Sequence, residues 1–414
     1  MPKSFTKKKK DMTIDKENLA KLRTEYGEAF YLLDTKQFKS NFIELRDTFR
    51  NIYPKFNIAY SYKTNYTPTL CKIVNELGGY AEVVSEMELE IARRIGVEPK
   101  NIIWNGPIKN PQILKDFLLN GGVCNIDNSE ELDVIKSIAE KNPTITLNIG
   151  LRCNYNVYDG VISRFGFDVD SDDFKNAIYY IKNAENIHLK NFHCHFAKRQ
   201  IEYWPARAKG MLSLLDRLGI IPERIDIGGG LFGKMDDSLK AQFSSAIPSY
   251  LDYAEASARY FTEYFQDKEI KPELVIEPGS ALVGDCMKFL ATVKSIKNVR
   301  GKWFASVLGS QKNISMGEIN PPMQVIHMGN ETKKYSDMDI VGFTCIEGDV
   351  IYHGYTGQLA VGDVIVISNC GSYSIVMKPP FILPNFAVID ISENNVRLIK
   401  AAETFDDLFH TFVF

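Results

Sequence analysis

Residues 56–96 read FNIAYSYKTNYTPTLCKIVNELGGYAEVVSEMELEIARRIG. Two short runs, FNIAYSY (56–62) and YAEVV (80–84), have the length and the aromatic and β-branched content of strands. Each leads into an amphipathic stretch, TPTLCKIVNEL and EMELEIARRIG, that reads as a helix. Proline near the start of the first helix and Gly96 at the end of the second are ordinary helix punctuation. A strand, a crossover helix and a second strand make a parallel pair, because a connection of that length spans a crossover rather than a hairpin.

The same alternation continues outward. Further strands are expected at IIWN (102–105), VCNI (123–126), ITLNIGL (145–151), LKNFHCH (189–195), RIDI (224–227) and ELVIE (273–277). Between most of them lie the helical segments PQILKDFLLNG, SEELDVIKSIAEK, SDDFKNAIYYIK and ARAKGMLSLLDRLG. Eight such strands predict a closed (β/α)8 barrel rather than an open sheet. After Glu277 the pattern changes to short alternating runs, FLATVKSI, WFASVLG, QVIHMG, DIVGFTC, DVIVIS, SYSIVM and AVIDI, with a last helix expected in AAETFDDLFHTF. That is a mostly antiparallel β domain, which AFYLLD (29–34), preceding the barrel, is expected to join. The expected division is a flexible basic tail at 1–15, a barrel at 35–280, and a β domain made of 16–34 and 281–414.

Composition narrows the function. Apolar residues are 45% of the 414 and charged residues 24%, so a folded globular chain is expected. With 49 basic against 52 acidic residues, the net charge of −3 offers no field for nucleic acid or anionic lipid. No apolar run is long enough to span a bilayer, and the opening MPKSFTKKKKDMTIDKE lacks the apolar core of a secretory signal. A soluble cytoplasmic protein is expected. Seven scattered cysteines with no CxxC pair argue against a disulfide framework or a zinc ribbon and predict mostly reduced core thiols.

Barrel active sites lie at the C-terminal ends of the strands. There this chain places Lys63, Glu82, His195, Gly228-Gly229-Gly230 and Glu277 followed by Pro278-Gly279. A lysine beside Tyr60 and Tyr62 suits Schiff-base chemistry if it is desolvated, and is a solvated loop lysine if it is not. The DIGGGLFG turn (226–233) either lets an anion approach the backbone closely or is a tight turn that binds nothing. Glu277 either pairs with a protonated ring nitrogen or is a structural carboxylate. His193 and His195 share one face of their strand and suggest either a metal site short of ligands or a ring stacked on an aromatic cofactor.

The order of these motifs resembles that of the fold type III pyridoxal-phosphate decarboxylases, the ornithine/diaminopimelate/arginine decarboxylase family, and is closest in style to the diaminopimelate enzymes. The resemblance rests on YSYKTN, AEVVSEMELEIA, NIDNSEEL, SRFGFD, HCHFA, DIGGGLFG, EPGS, CIEGD and GSYSIVM, which together run across residues 28–391. It implies a barrel plus a β domain, pyridoxal 5'-phosphate as cofactor, no metal, and a homodimer with the active site at its interface. It also implies that Lys63 holds the cofactor through a Schiff base, His195 stacks on its ring and Glu277 pairs with the ring nitrogen. Gly228, Gly229, Gly230, Gly279 and Tyr373 would hold the phosphate, and Glu82 would stand behind the site. Cys345 would reach in from the partner subunit to protonate the carbanion left when CO2 departs. As a plain alternative, Cys345 is a buried thiol.

This chain departs from the family pattern where the substrate is read. Ser280 stands for the arginine of EPGR, Ile346 for the acidic residue of CESGD with Glu347 one place later, and HFAK for HIGS. The stretch ISMGEINPPMQ carries no arginine. Ser280, Asn313, Ile346 and Glu347 are the substrate-facing candidates. Losing one buried partner of an ion pair is costly, so an amino acid or amino-acid conjugate other than plain diaminopimelate, ornithine or lysine is expected. Other readings are an amino-acid racemase of related architecture, a non-catalytic paralogue that binds the true enzyme, and a metal-dependent barrel hydrolase using His193 and His195.

Overall fold

A computed structural model describes residues 14–392 and 396–414. Most of the expected basic tail, residues 1–13, lies outside the described residues. The chain divides into two compact units, 39–233 with 247–282, and the stretch up to Phe38 with 234–246 and 283–414. Residues 234–246, within the span expected for the barrel, therefore cluster with the second unit.

Strand β1 (Ala29–Leu33) lies in the second unit. The first unit holds β2 (Phe56–Ser61), β3 (Tyr80–Val83), β4 (Ile102–Trp104), β5 (Val123–Ile126), β6 (Leu147–Asn154), β7 (Phe167–Asp168), β8 (Ile187–His193), β9 (Arg224–Asp226) and β10 (Glu273–Ile276). All pair in parallel in the order β5-β4-β3-β2-β10-β9-β8-β6, and β5 pairs with β6 to close the ring. The short β7, not expected from the sequence, pairs with the far end of β6. The barrel strands lie where the sequence placed them. However, β8 ends at His193, which leaves His195 in the loop beyond it.

Alternation along each strand sorts the barrel interior into layers. Tyr80 and Glu82 share one face of β3, Arg224 and Asp226 one face of β9, and Glu273 and Val275 one face of β10, a period that Glu277 just past the strand continues. Arg224 pairs in register with Glu273, and Asp226 with Val275. Ala59, Ile103 and Val275 pack as a buried apolar cluster with Tyr80 against it. A dry layer thus separates polar residues at the two strand ends. The flanking helices are capped as their sequences suggest. Ser85 accepts from Glu88 N at the start of Glu86–Arg94, and Pro68 opens Pro68–Glu76.

The second unit continues with β11 (Met287–Val299), β12 (Lys302–Val307), β13 (Met323–Ile326), β14 (Lys333–Val341), β15 (Val350–Leu359), β16 (Val364–Ile367), β17 (Ala387–Asp390) and β18 (Arg397–Lys400). Its main path is β15-β14-β12-β11-β1-β17-β18, with β16 joined to β11 and β13. Strand β1 sits between antiparallel β11 and parallel β17, so the early strand does join this sheet. Phe30, Leu32, Leu290, Val366 and Ile389 form its core with Leu19 and Leu22 from the helix Lys16–Tyr26.

Two readings fail here. SYSIVM is a turn rather than a strand; Tyr373 has φ 61° and Met377 N bonds back to the Tyr373 carbonyl at 3.1 Å. The long β15 was missed because much of it is solvent-exposed and polar, so no apolar alternation marks it. Among the described residues no helix is long and apolar enough to cross a membrane.

Candidate active site

Strand β2 ends at Ser61 and the chain tightens into a single 3-10 turn, Tyr62–Thr64. Tyr62 and Thr64 are buried, and Lys63 between them keeps about a third of its side chain exposed. Its Nζ lies 2.6 Å from Glu82 Oε2 and 3.4 Å from Ser61 Oγ. Ser61 Oγ donates to the same Glu82 oxygen at 2.6 Å. The amine is therefore aimed by a carboxylate on the neighbouring strand.

A second carboxylate, Glu277, is buried just past β10. Asn105 Nδ2 donates to its Oε1 and also to Glu82 Oε1 at 3.0 Å, so one amide bridges both acids. That amide ends a ladder across the barrel. Asn191 Nδ2 donates to Asn125 Oδ1 at 2.8 Å, and Asn125 Nδ2 donates to Asn105 Oδ1 at 2.7 Å. Gly150 leaves the space for it, since a Cβ there would fall 1.9 Å from Asn125 Oδ1. Each amide is thereby oriented with its donor toward the carboxylates.

Electrostatics separates the buried acids. Burial alone would raise the Glu277 carboxyl, but His193 first, then Lys63, hold it well below the usual range. Its Oε1 lies 3.3 Å from His193 Nε2 and its Oε2 lies 3.8 Å from His195 Nδ1. Burial and the charge of Glu277 push neighbouring Asp226 well above the carboxylate range. Two adjacent carboxyls driven apart in this way give one fixed anion and one held proton. Desolvation, helped by Lys63, pushes His195 well below an ordinary imidazole despite the pull of Glu277. Gly229 N donates to its Nδ1 at 3.0 Å, which makes Nδ1 an acceptor and fixes a neutral ring.

The glycine turn after β9 is a place where side chains do not fit. Gly228 and Gly230 have φ of 73° and 90°. A Cβ on Gly229 would fall 2.2 Å from the Glu277 carbonyl oxygen, and one on Gly279 would fall 1.9 Å from Thr64 Oγ1. Two of the three N–H groups expected to face a phosphate are used within the protein, Gly228 on Asp226 Oδ1 at 2.9 Å and Gly229 on His195. These two N–H groups tether Asp226 and the His195 ring.

Sequence reasoning missed Arg207, which ties this turn to the loop after β8. Fully buried in the helix Trp204–Leu218, it donates from Nη1 to the Gly229 carbonyl at 2.6 Å. Its Nη2 reaches the carbonyls of Lys198 at 2.7 Å and Phe196 at 3.2 Å. An arginine on the apolar face of ARAKGMLSLLDRL was the available signal. The ladder had one too, asparagines at inward positions of three strands.

Ser280 is half-buried in the same unit, at the start of the short helix Ser280–Val283. The remaining expected residues are in the second unit. Cys345 is exposed, the one exposed cysteine among seven, and Ile346 and Glu347 beside it are exposed too. Buried Asp349 staples this loop, accepting from Thr344 Oγ1 at 2.6 Å, Gln311 N at 2.7 Å and Ser310 Oγ at 2.9 Å. Asn313, expected to face substrate, is instead fully buried. It gives Nδ2 to Tyr31 Oη at 3.0 Å and accepts from Ser310 N at 2.9 Å, so it is spent on the fold. Tyr373 is half-buried in the turn described above.

A cofactor fit follows from the barrel unit alone. An amine aimed by a carboxylate, a neutral imidazole with an exposed portion, a fixed anion and a side-chain-free turn suit pyridoxal phosphate. His193, Asp226 and Glu277 also bring three donor atoms within 4.8 Å.

Comparisons with known proteins agree. The sequence model described as pyridoxal-dependent decarboxylase, pyridoxal binding domain, matches residues 39–284. The chain is 25% identical to a diaminopimelate decarboxylase of Aquifex aeolicus over 413 residues, covering 96% of this chain and 94% of that one. It is 27% identical to the diaminopimelate decarboxylase of Methanocaldococcus jannaschii, covering 95% and 93%. The crystal structure of the M. jannaschii enzyme superposes with a TM-score of 0.84 at 25% identity, covering 95% and 94%. These names lend no support to excluding diaminopimelate as substrate. Fold, site chemistry and sequence meet in one assignment: the chain belongs to the pyridoxal-dependent decarboxylases, carboxy-lyases whose cofactor is pyridoxal phosphate.

Proposed function

We propose that the chain removes the α-carboxylate of an amino acid with Lys63 as the cofactor anchor, and that its preferred substrate differs from plain diaminopimelate, ornithine or lysine at the distal end. The observation that carries the first half is Lys63 Nζ held 2.6 Å from Glu82 in the same barrel mouth as ionised Glu277. When bound, the cofactor's pyridinium ring supplies an electron sink for the carbon that loses CO2. Glu277 keeps the ring nitrogen protonated because its own carboxyl is held ionised. His195 offers a neutral face, tethered by Gly229. Ser61 and Glu82 keep the Lys63 amine oriented and stand ready to hold its proton. Gly230 and Gly279 are assigned to the phosphate, with Gly228 and Gly229 giving it close approach through a turn free of side chains.

Cys345 is assigned the proton returned to Cα. Its exposure on a stapled surface loop supports delivery to a second copy in a homodimer. Sedimentation of the holoenzyme should show that dimer, and full activity from a monomer would contradict the role of Cys345. The distal preference is supported by Ser280, Ile346 and the arginine-free ISMGEINPPMQ, while the relatives' names point toward diaminopimelate. Release of CO2 across a panel containing meso-diaminopimelate, ornithine, lysine and amino-acid conjugates decides it. Efficient turnover of meso-diaminopimelate would overturn the distal preference and leave the decarboxylase intact.

A further inference from the structure

At the opposite, N-terminal end of the barrel strands lies a cavity of about 470 Å3 lined by Lys55, Tyr80, Lys100, Lys190, Glu223, Arg224 and Glu273. That volume falls in the range of small-molecule pockets. The register explains its composition. Tyr80, Arg224 and Glu273 begin their strands, and the layer above them is the apolar cluster of Ala59, Ile103 and Val275. No part of the cavity is therefore shared with the mouth that holds Lys63.

Four cations face two carboxylates in this lining, and Lys100 is paired with Glu98 at 2.7 Å, leaving an excess of one positive charge. Glu223 is occupied by Lys190 at 2.9 Å and by His188 at 3.4 Å. Glu273 Oε2 takes Arg224 Nε at 3.2 Å and Tyr80 Oη at 2.9 Å. Lys55 Nζ donates to the Lys271 carbonyl at 2.7 Å and has no carboxylate partner among the described residues. Arg224 is the more telling residue. It is 4% exposed, its guanidinium lies 4.1 Å over the Tyr80 ring, and its Nη1 has no acceptor among the described residues. A buried guanidinium N–H left without an acceptor is costly, and arginine beside lysines on a concave wall suits an oxyanion.

We propose that this cavity is a binding site for a phosphate group, separate from the catalytic mouth, with Arg224, Lys55 and Lys190 as its cationic wall. A phosphate offsets the positive charge of Lys55, which has no carboxylate partner among the described residues. The cavity is larger than a bare phosphate and leaves room for an organic remainder.

The test is isothermal titration of inorganic phosphate into the cofactor-loaded enzyme at low ionic strength. The parent should bind one phosphate per chain saturably. The Lys55→Ala/Lys190→Ala double variant, whose changes are on exposed or partly exposed side chains, should bind it at least about tenfold more weakly while retaining bound cofactor. Arg224→Gln should weaken it further if it folds. No saturable phosphate binding by the parent would overturn the proposal, and so would equal binding by parent and double variant.

Discussion

Glu277 and Glu88 are both buried carboxyls a short way from Lys63, and their surroundings drive them in opposite directions. Glu277 is held ionised by His193 and Lys63 against the cost of burial. Glu277→Gln keeps the shape but removes the fixed anion, and is expected to lower kcat by about a hundredfold or more while the cofactor still binds. Steady-state CO2 release and the cofactor absorbance check this together. Glu88 accepts from Val84 N at 2.7 Å, but burial first, and then the charge of Glu82, push its carboxyl up to about 7. A carboxyl that holds its proton more tightly folded than unfolded destabilises the fold as pH rises from its ordinary value toward the folded one. The affected window runs from 4.5 to about 7. Glu88→Gln stays neutral and keeps an acceptor for Val84. It should unfold like the parent at the acid end of that window and be more stable near pH 8, by up to about 3 kcal/mol. Urea melts at the two pH values measure the difference.

The elements that matter most to the site are the two loops after β8 and β9, and one helix residue holds both. Arg207→Met would leave the carbonyls of Phe196, Lys198 and Gly229 short of a donor, each unsatisfied buried acceptor costing about 1–3 kcal/mol. The expected result is a lower urea midpoint and weaker cofactor affinity, with Arg207→Lys recovering only part of each, because an ammonium lacks the planar fork. Cofactor titration beside the melt separates loop order from global stability. The sequence marked Arg207 as an arginine on an apolar helix face, but not what it would hold. Arg207 contacts backbone atoms of residues that no periodicity links to it. The asparagines likewise stood at inward strand positions, but the ladder they make was hidden because its rungs come together only once the barrel closes. By contrast Lys63, Glu82 and Glu277 were legible as strand ends, since each follows an apolar run whose length is set by the barrel wall. SYSIVM misled because its alternation imitates a strand, while the positive φ of Tyr373 turns the chain.

At the scale of the molecule, an apolar middle layer of Ala59, Ile103 and Val275 separates a catalytic end from a cationic end of the barrel. The catalytic end concentrates a lysine, two differently ionised carboxyls and a neutral histidine on parallel strand ends, where the fold places barrel chemistry. The second unit carries the stapled loop on which Cys345 is exposed. The account stands on Lys63 as the anchor of the cofactor, and borohydride reduction of the protein with its cofactor, followed by peptide mass mapping, tests that directly. A pyridoxyl-phosphate adduct on Lys63, absent from the Lys63→Ala variant, is the predicted result. Protein supplied with pyridoxal phosphate that carries no adduct on Lys63, or carries it on another lysine, would contradict the account.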